Sequence, residues 1–155
     1  ASQAGAPSRK LLSSGLSAAL PEVAARMGVE AGADVLTRRR LMSIDGVPVR
    51  LAVSYFLPEA SEAAELSGGT FLQGGLQQLF DRHGRRFGRA EETLVARIPA
   101  TEEAQLLQID SADPVVELLR TSYDDAGRAV HTLQTICAAS RHIFVVRQMP
   151  GDAVF

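Results

Sequence analysis

The sequence predicts an α+β domain, an antiparallel sheet with short helices built from two helix–hairpin repeats. Three observations carry this. Two runs rich in β-branched and apolar residues flank Asp45-Gly46, a dipeptide suited to a two-residue hairpin turn because both central residues there need positive φ. A second pair of such runs flanks Asp125-Ala126-Gly127. A shift of 80 residues then lays AARMGVEAGADVLTRRR over AQLLQIDSADPVVELLR, placing Met27 on Leu107, Val29 on Ile109, Val35 on Val115 and Arg40 on Arg120. Helix, acidic loop, arginine-bearing strand and turn recur in the same order, and two such units around one sheet form a two-layer domain.

The elements follow in order. Residues 1–19 are small and polar without a hydrophobic signal core, and read as a linker or chain end ahead of a domain over residues 20–155. Pro21 and Glu22 open a helix whose apolar side is Val23, Ala24 and Met27, with Gly28 placed to cap it. The first hairpin spans residues 35–58 and ends at Pro58, which cannot donate to a ladder. Residues 59–75 read as a surface excursion, and residues 72–83 as an amphipathic helix stopped by Gly84. RAEETLVAR reads as a strand, and Thr101 as the N-cap of the helix EEAQLL. The second hairpin follows, and RHIFVVRQM reads as a last strand.

In the first hairpin a two-residue turn sets Ile44 opposite Val47, then Met42 opposite Val49, Arg40 opposite Leu51 and Arg38 opposite Val53. Side chains alternate along a strand, so Leu36, Arg38, Arg40 and Met42 would share a face with Val49, Leu51, Val53 and Tyr55. An arginine against an apolar wall requires an anionic or carbonyl partner, supplied by the protein or by a ligand. Arg39, on the opposite face, reads as solvated.

Composition narrows the function classes. A chain of 155 residues with 46% hydrophobic and 22% charged residues suffices for one domain with a real core. No apolar run approaches the roughly 20 residues of a spanning helix, so no membrane partner is expected. A net charge of −2 argues against this chain gripping a phosphate backbone by itself. The single Cys137 cannot form an internal disulfide, which suits a reducing cytoplasm. His83, His131 and His142 lack metal-ligand spacing, and neither a metal nor a cofactor is expected. His131 and Cys137 fall on one face of a strand, but six residues apart they span roughly 20 Å and cannot form a dyad. The glycines of SGGTFLQGGL do not follow a strand in phosphate-loop spacing.

EVAARMGVEAG, the arginine strand, DGVPV and SYFLP resemble the start of a UTRA domain, as do GGLQQLFDRHG and ARIPATEEAQLLQIDSADPVVELLRTSYDDAGRAV further on. The resemblance covers residues 20–150. It implies a chorismate-lyase-like fold and the effector-binding role of the HutC branch of GntR transcription regulators. It further implies a cytoplasmic homodimer that binds a small-molecule effector and contacts DNA through a winged-helix domain that is absent from this chain. The family's first strand arginine falls on Arg40 and its second on Met42. A glutamate of the returning strand falls at about Val53, and a serine and tyrosine fall near Gly74 and Leu76. A later glutamate falls on His131 and a tyrosine near Cys137. With Arg38 and Leu51 from the hairpin face, these form the expected ligand-binding set. So many polar contacts exchanged for apolar ones imply a largely apolar effector with one anionic or carbonyl group. The rival reading is a chorismate-lyase-like enzyme in which Arg40 holds a substrate carboxylate. A third is a dimerisation module that no longer responds to ligand.

Overall fold

The computed structural model describes residues 5–58, 81, 84–147 and 150. Its strands are β1 (Pro7–Ala18), β2 (Asp34–Ile44), β3 (Val47–Phe56), β4 (Phe87–Arg97), β5 (Val115–Asp124) and β6 (Ala129–Ala138). Its elements include the helices α1 (Pro21–Met27) and α2 (Thr101–Leu107), and a 3-10 turn, Ala139–Arg141, follows β6. The six strands form one sheet in the order β1-β2-β3-β6-β5-β4, with every pairing antiparallel. This order is a palindrome about the β3–β6 pairing. The repeat is thus larger than a helix–hairpin: each unit is strand, helix and hairpin, and an offset of 80 carries Pro7 onto Phe87, Pro21 onto Thr101 and Met27 onto Leu107.

Both helices pack on one face of the sheet, and each lies against the hairpin of the other unit, α1 on β6 and α2 on β3. The core there joins Val23, Ala24 and Met27 of α1 to Leu107 of α2 and to Val35, Leu51, Val53, Tyr55, Val115 and Ile136 of the sheet. Thr132 of β6 donates to the Met27 sulfur at 2.9 Å. The crossed packing ties the two units together, since each helix lies against the hairpin of the other unit.

Local chemistry explains the ends. Pro21 occupies the first turn of α1, and Gly28 (φ 70°) closes it in the left-handed region. At α2 the N-cap is Ala100, not Thr101. The Glu103 carboxylate accepts the Ala100 N–H at 2.7 Å, so the helix starts one residue earlier than a hydroxyl cap would set it. Arg141 donates to the carbonyls of Leu107 and Gln108 at the other end of α2, and to the carbonyl of Pro48.

Three expectations are corrected. Of residues 1–19, Pro7–Ala18 form an edge strand and not a linker. Its side chains are almost all exposed, so hydrogen bonding to β2 rather than burial holds it, and composition carries little trace of that. RHIFVVRQM is not a strand over the described residues: 142–147 have no regular structure, and Ile143 and Val146 are each 91% exposed. The first hairpin does turn at Asp45 (φ 51°) and Gly46 (φ 77°), but its register slips past Ser43, so that Met42 faces Arg50 and Arg40 faces Ala52 instead of Leu51. Pro48 has no N–H to donate, and the ladder absorbs this with a bulge beside it. The expected excursion 59–75 and nearly all of the expected helix 72–83 lie outside the described residues.

Candidate functional site

The one-residue slip decides what Arg40 meets. Alternation along β2 sends Val35, Arg39 and Leu41 towards the helices and Leu36, Arg38, Arg40 and Met42 to the other face. Across the slipped register, Arg50, Ala52, Ser54 and Phe56 of β3 share that second face. The β3–β6 register adds His131 beside Phe56 and Cys137 beside Arg50. Beyond them β5 adds Arg120, opposite Leu133. Five expected site residues therefore stand together: Arg38, Arg40, Met42, His131 and Cys137. Leu51 and Val53 do not join them. They are buried in the helix-side core, because the bulge turns them through to the opposite face. Gly74 and Leu76 lie outside the described residues.

The face is dominated by cations. Arg40 Nη2 donates to Ser54 Oγ at 3.3 Å. Burial lowers the Arg40 pKa, and the neighbouring charges of Arg38, Arg9 and Arg50 push the same way. Arg38 is only 5% exposed, and burial lowers its pKa as well. A guanidinium does not give up its proton in a protein. These shifts express burial and the crowding of like charges on a partly desolvated surface. Arg50 directs Nε at the Met42 sulfur, 3.1 Å away, and has no carboxylate partner among the described residues. On the same face, Glu92 of β4 lies 3.7 Å from Arg120.

His131 is held neutral. Its ring stacks on Phe56 with centroids 4.6 Å apart, and its Nε2 is buried without a hydrogen-bond partner among the described residues. Burial, then the charges of Arg40 and Arg120, push its pKa down to about 4. Cys137 is buried as a thiol, its pKa raised by burial against a smaller opposing pull from Arg50. Beside it a cavity of about 240 Å³ opens between Arg50 and Arg120, with Phe144 on its outer side. Arg39, by contrast, points to the helix face and donates to Glu102 of α2 at 2.9 Å. Among the described residues, no group of three or more His, Cys, Asp or Glu is placed to hold a metal ion, and no helix is long and apolar enough to cross a membrane.

Sequence reasoning missed Arg9, Arg50 and Ser54. Pro48 was the available signal: a proline two residues before Arg50 in an otherwise regular strand announces a bulge, and a bulge moves Arg50 to the face of Arg40.

The UTRA domain family matches residues 2–143. An uncharacterized HTH-type transcriptional regulator of Streptomyces coelicolor is 35% identical over 123 residues, covering 77% of this chain and 45% of the relative. The HTH-type transcriptional repressor PhnF of Mycolicibacterium smegmatis is 29% identical over 128 residues, covering 76% of this chain and 48% of PhnF. This chain thus spans about half the length of the curated relatives it matches. Among solved structures, the effector domain of PhnF from Mycobacterium smegmatis superposes with a TM-score of 0.75 at 26% identity, over 93% of this chain and 88% of that one. A GntR-family regulator from Enterococcus faecalis superposes with a TM-score of 0.79 over 91% of this chain and all of that one, and at 18% identity this likeness speaks for the fold alone. With the palindromic sheet and the arginine strand in place, the chain belongs to the UTRA domain family, the effector-binding domains of GntR-type transcriptional regulators.

Proposed function

We propose that the face of the sheet opposite α1 and α2 binds a small effector carrying at least one fully ionised anionic group, and that this binding modulates DNA contact made by a winged-helix part outside this chain. The observation that supports it is the gathering of Arg9, Arg38 and Arg50 about Arg40 on one partly buried surface. The apolar wall first assigned to Arg40 belongs to the other face, so the effector is more strongly anionic than the sequence alone implied. Leu36, Met42 and Phe56 still offer it apolar contact.

The domain senses and does not catalyse: a ligand with different affinity for two arrangements of a dimer shifts their populations, and no bond need change. Charge steering by the arginine face would speed capture of anions while contributing little to affinity for neutral molecules. The net charge of −2 fits a chain that leaves DNA contact to another part.

Calorimetry with inorganic phosphate and citrate as probes tests the anion site. Arg40→Ala should weaken the better probe by roughly ten-fold or more, the loss of a charge-assisted hydrogen bond. Recovery of the probe unchanged by mass spectrometry is expected. Turnover of it, or sequence-dependent retardation of duplex DNA by this chain alone, would contradict the proposal.

A further inference from the structure

The duplication lets one unit show what fits the other. At the end of α2, Arg141 donates to the carbonyls of Pro48, Leu107 and Gln108 at 2.5, 2.7 and 3.1 Å, so three backbone acceptors hold one guanidinium. The same elements meet at the end of α1. The offset of 80 carries Met27 and Gly28 onto Leu107 and Gln108, and Gly28 and Gln108 both close their helices in the left-handed region. Pro48 stands opposite Ser43 in its hairpin, and Ala129 stands opposite Tyr123, the residue equivalent to Ser43. Met27, Gly28 and Ala129 line a cavity of about 500 Å³, within the size range of small-molecule sites. Among the described residues, no side chain donates to their carbonyls as Arg141 does in the other unit. The cavity lies on the α1 side of the sheet, where its Leu57 and Tyr123 pack against the core, and Arg40 and Arg50 face the other way.

Charged groups form its other wall. Arg85 and Arg128 also line it, and both direct Nε at one oxygen of buried Asp124, at 3.7 and 3.1 Å. Two guanidiniums thus share one carboxylate, and one positive charge is left over. Arg26 does not add to it, because its guanidinium donates to Thr93 at 3.0 Å. The terminal carbonyls of α1 favour a cationic group. A bare cation would meet the surplus charge of Arg85 and Arg128, whereas a ligand that also carries a carboxylate would offset it.

We propose that this cavity binds a small guanidino acid, its guanidinium donating to the carbonyls of Met27, Gly28 and Ala129 and its carboxylate accepting from Arg128 and Arg85. The methylene body lies against Leu57 and Tyr123. The site is separate from the anion face around Arg40 and does not rest on it.

4-Guanidinobutanoate is the probe. Titrated into the 155-residue protein, it should give saturable NMR shifts of the Met27 and Leu57 methyl groups. 4-Ureidobutanoate has the same shape without the positive charge and should bind at least ten-fold more weakly, the loss of charge-assisted hydrogen bonds. Butylguanidine keeps the guanidinium, lacks the carboxylate and should bind several-fold more weakly. Arg128→Gln should weaken 4-guanidinobutanoate about ten-fold and leave butylguanidine no weaker, a split that general damage to the fold would not produce. Ala25→Phe, at an exposed position on the rim, should abolish binding without lowering the melting temperature. Arg40→Ala should leave the affinity within about two-fold, so failure of this site and failure of the anion face read differently. Shifts that never saturate, equal binding of 4-ureidobutanoate, an Arg128→Gln variant that treats the two guanidinium ligands alike, or binding that survives Ala25→Phe would each overturn the proposal.

Discussion

The two units share an architecture and use charge in opposite ways. In the second unit, charged groups are spent on one another. Arg97 of β4 donates to both Glu103 oxygens of α2 at 2.7 and 2.9 Å and to Glu117 of β5 at 2.7 Å. Asp124, 2% exposed, accepts the backbone N–H groups of Ala126 and Arg128 and meets the guanidiniums of Arg128 and Arg85. In the first unit, Arg9, Arg38, Arg40 and Arg50 repel one another on one face. A duplicated scaffold can pair its charges within one copy and gather like charges on one face of the other. Buried satisfied networks rigidify, and crowded like charges carry a cost.

The largest effects should be symmetric, because they belong to the shared scaffold. Met27 and Leu107 are equivalent, are 3% and 0% exposed, and each closes its helix onto the same core. Met27→Ala and Leu107→Ala should each cost about 2–5 kcal/mol in denaturant unfolding. A difference of more than about 2 kcal/mol between them would show that the units are unequal in the core as well as in their charges.

Next come the hairpin turns. Gly46 (φ 77°) and Gly127 (φ 79°) hold a conformation that a β-branched residue resists, and neither would meet another atom through an added Cβ. Gly46→Val and Gly127→Val should therefore each cost about 1–3 kcal/mol through backbone strain alone. Thermal unfolding that leaves either variant as stable as the parent would remove that turn from the comparison.

Smaller, and separable by pH, are the contributions of two buried titrating groups. The folded pKa of His131, about 4, lies below its ordinary value of 6.5, so the unfolded chain takes up the proton first. Stability should be full above about pH 6.5 and decline as the pH falls towards 4. Burial pushes the Asp124 carboxyl up, but the N–H groups of Arg128 and Ala126 and the Arg128 charge outweigh it and hold the pKa below its ordinary 3.8. Its contribution is present above 3.8 and lost as the pH falls further, through the folded value. His131→Gln should flatten the upper part of the acid limb and Asp124→Asn the lower part. Urea unfolding at pH 7, 5 and 3 checks both, and an unchanged upper limb in His131→Gln would mean that the ring is not the titrating group.

The legible parts of this molecule were those written in local chemistry. Asp45-Gly46, Pro21, Gly28 and the periodic apolar residues of both helices each dictate their own backbone, and the offset of 80 exposed the duplication. The edge strand β1 was missed because its neighbour holds it through backbone bonds, which leave no pattern in side chains; yet the same offset carries β4 onto it. Arg38, Arg40 and Met42 share a face as their spacing implied, and so do His131 and Cys137, while Leu51 and Val53 were misplaced by a single residue of register. Period-2 reasoning has no tolerance for a bulge: one extra residue sends every side chain beyond it to the other side.

The smallest expected effect is the most discriminating, because it separates neighbours in sequence. Arg39 and Arg40 are adjacent, equally charged and equally able to attract an anion at long range. The sheet sends them to opposite faces, Arg39 to Glu102 of α2 and Arg40 to Ser54 and the cationic cluster. The Arg39–Glu102 pair is partly solvated, with side chains 30% and 65% exposed. Solvent screening limits such a pair to about 0.2–1 kcal/mol. Arg39→Ala should therefore lower stability by no more than that, and should leave phosphate or citrate affinity within about two-fold once long-range attraction is screened at physiological salt. Arg40→Ala should show the reverse profile, with a marked loss of anion affinity. Removing the charge also relieves its repulsion with Arg38, Arg9 and Arg50. Calorimetry and melting curves on the two variants decide the matter. Equal affinity losses would mean that alternation along β2 does not separate the roles of the two arginines, and the contrast between the two units would lose its cationic half.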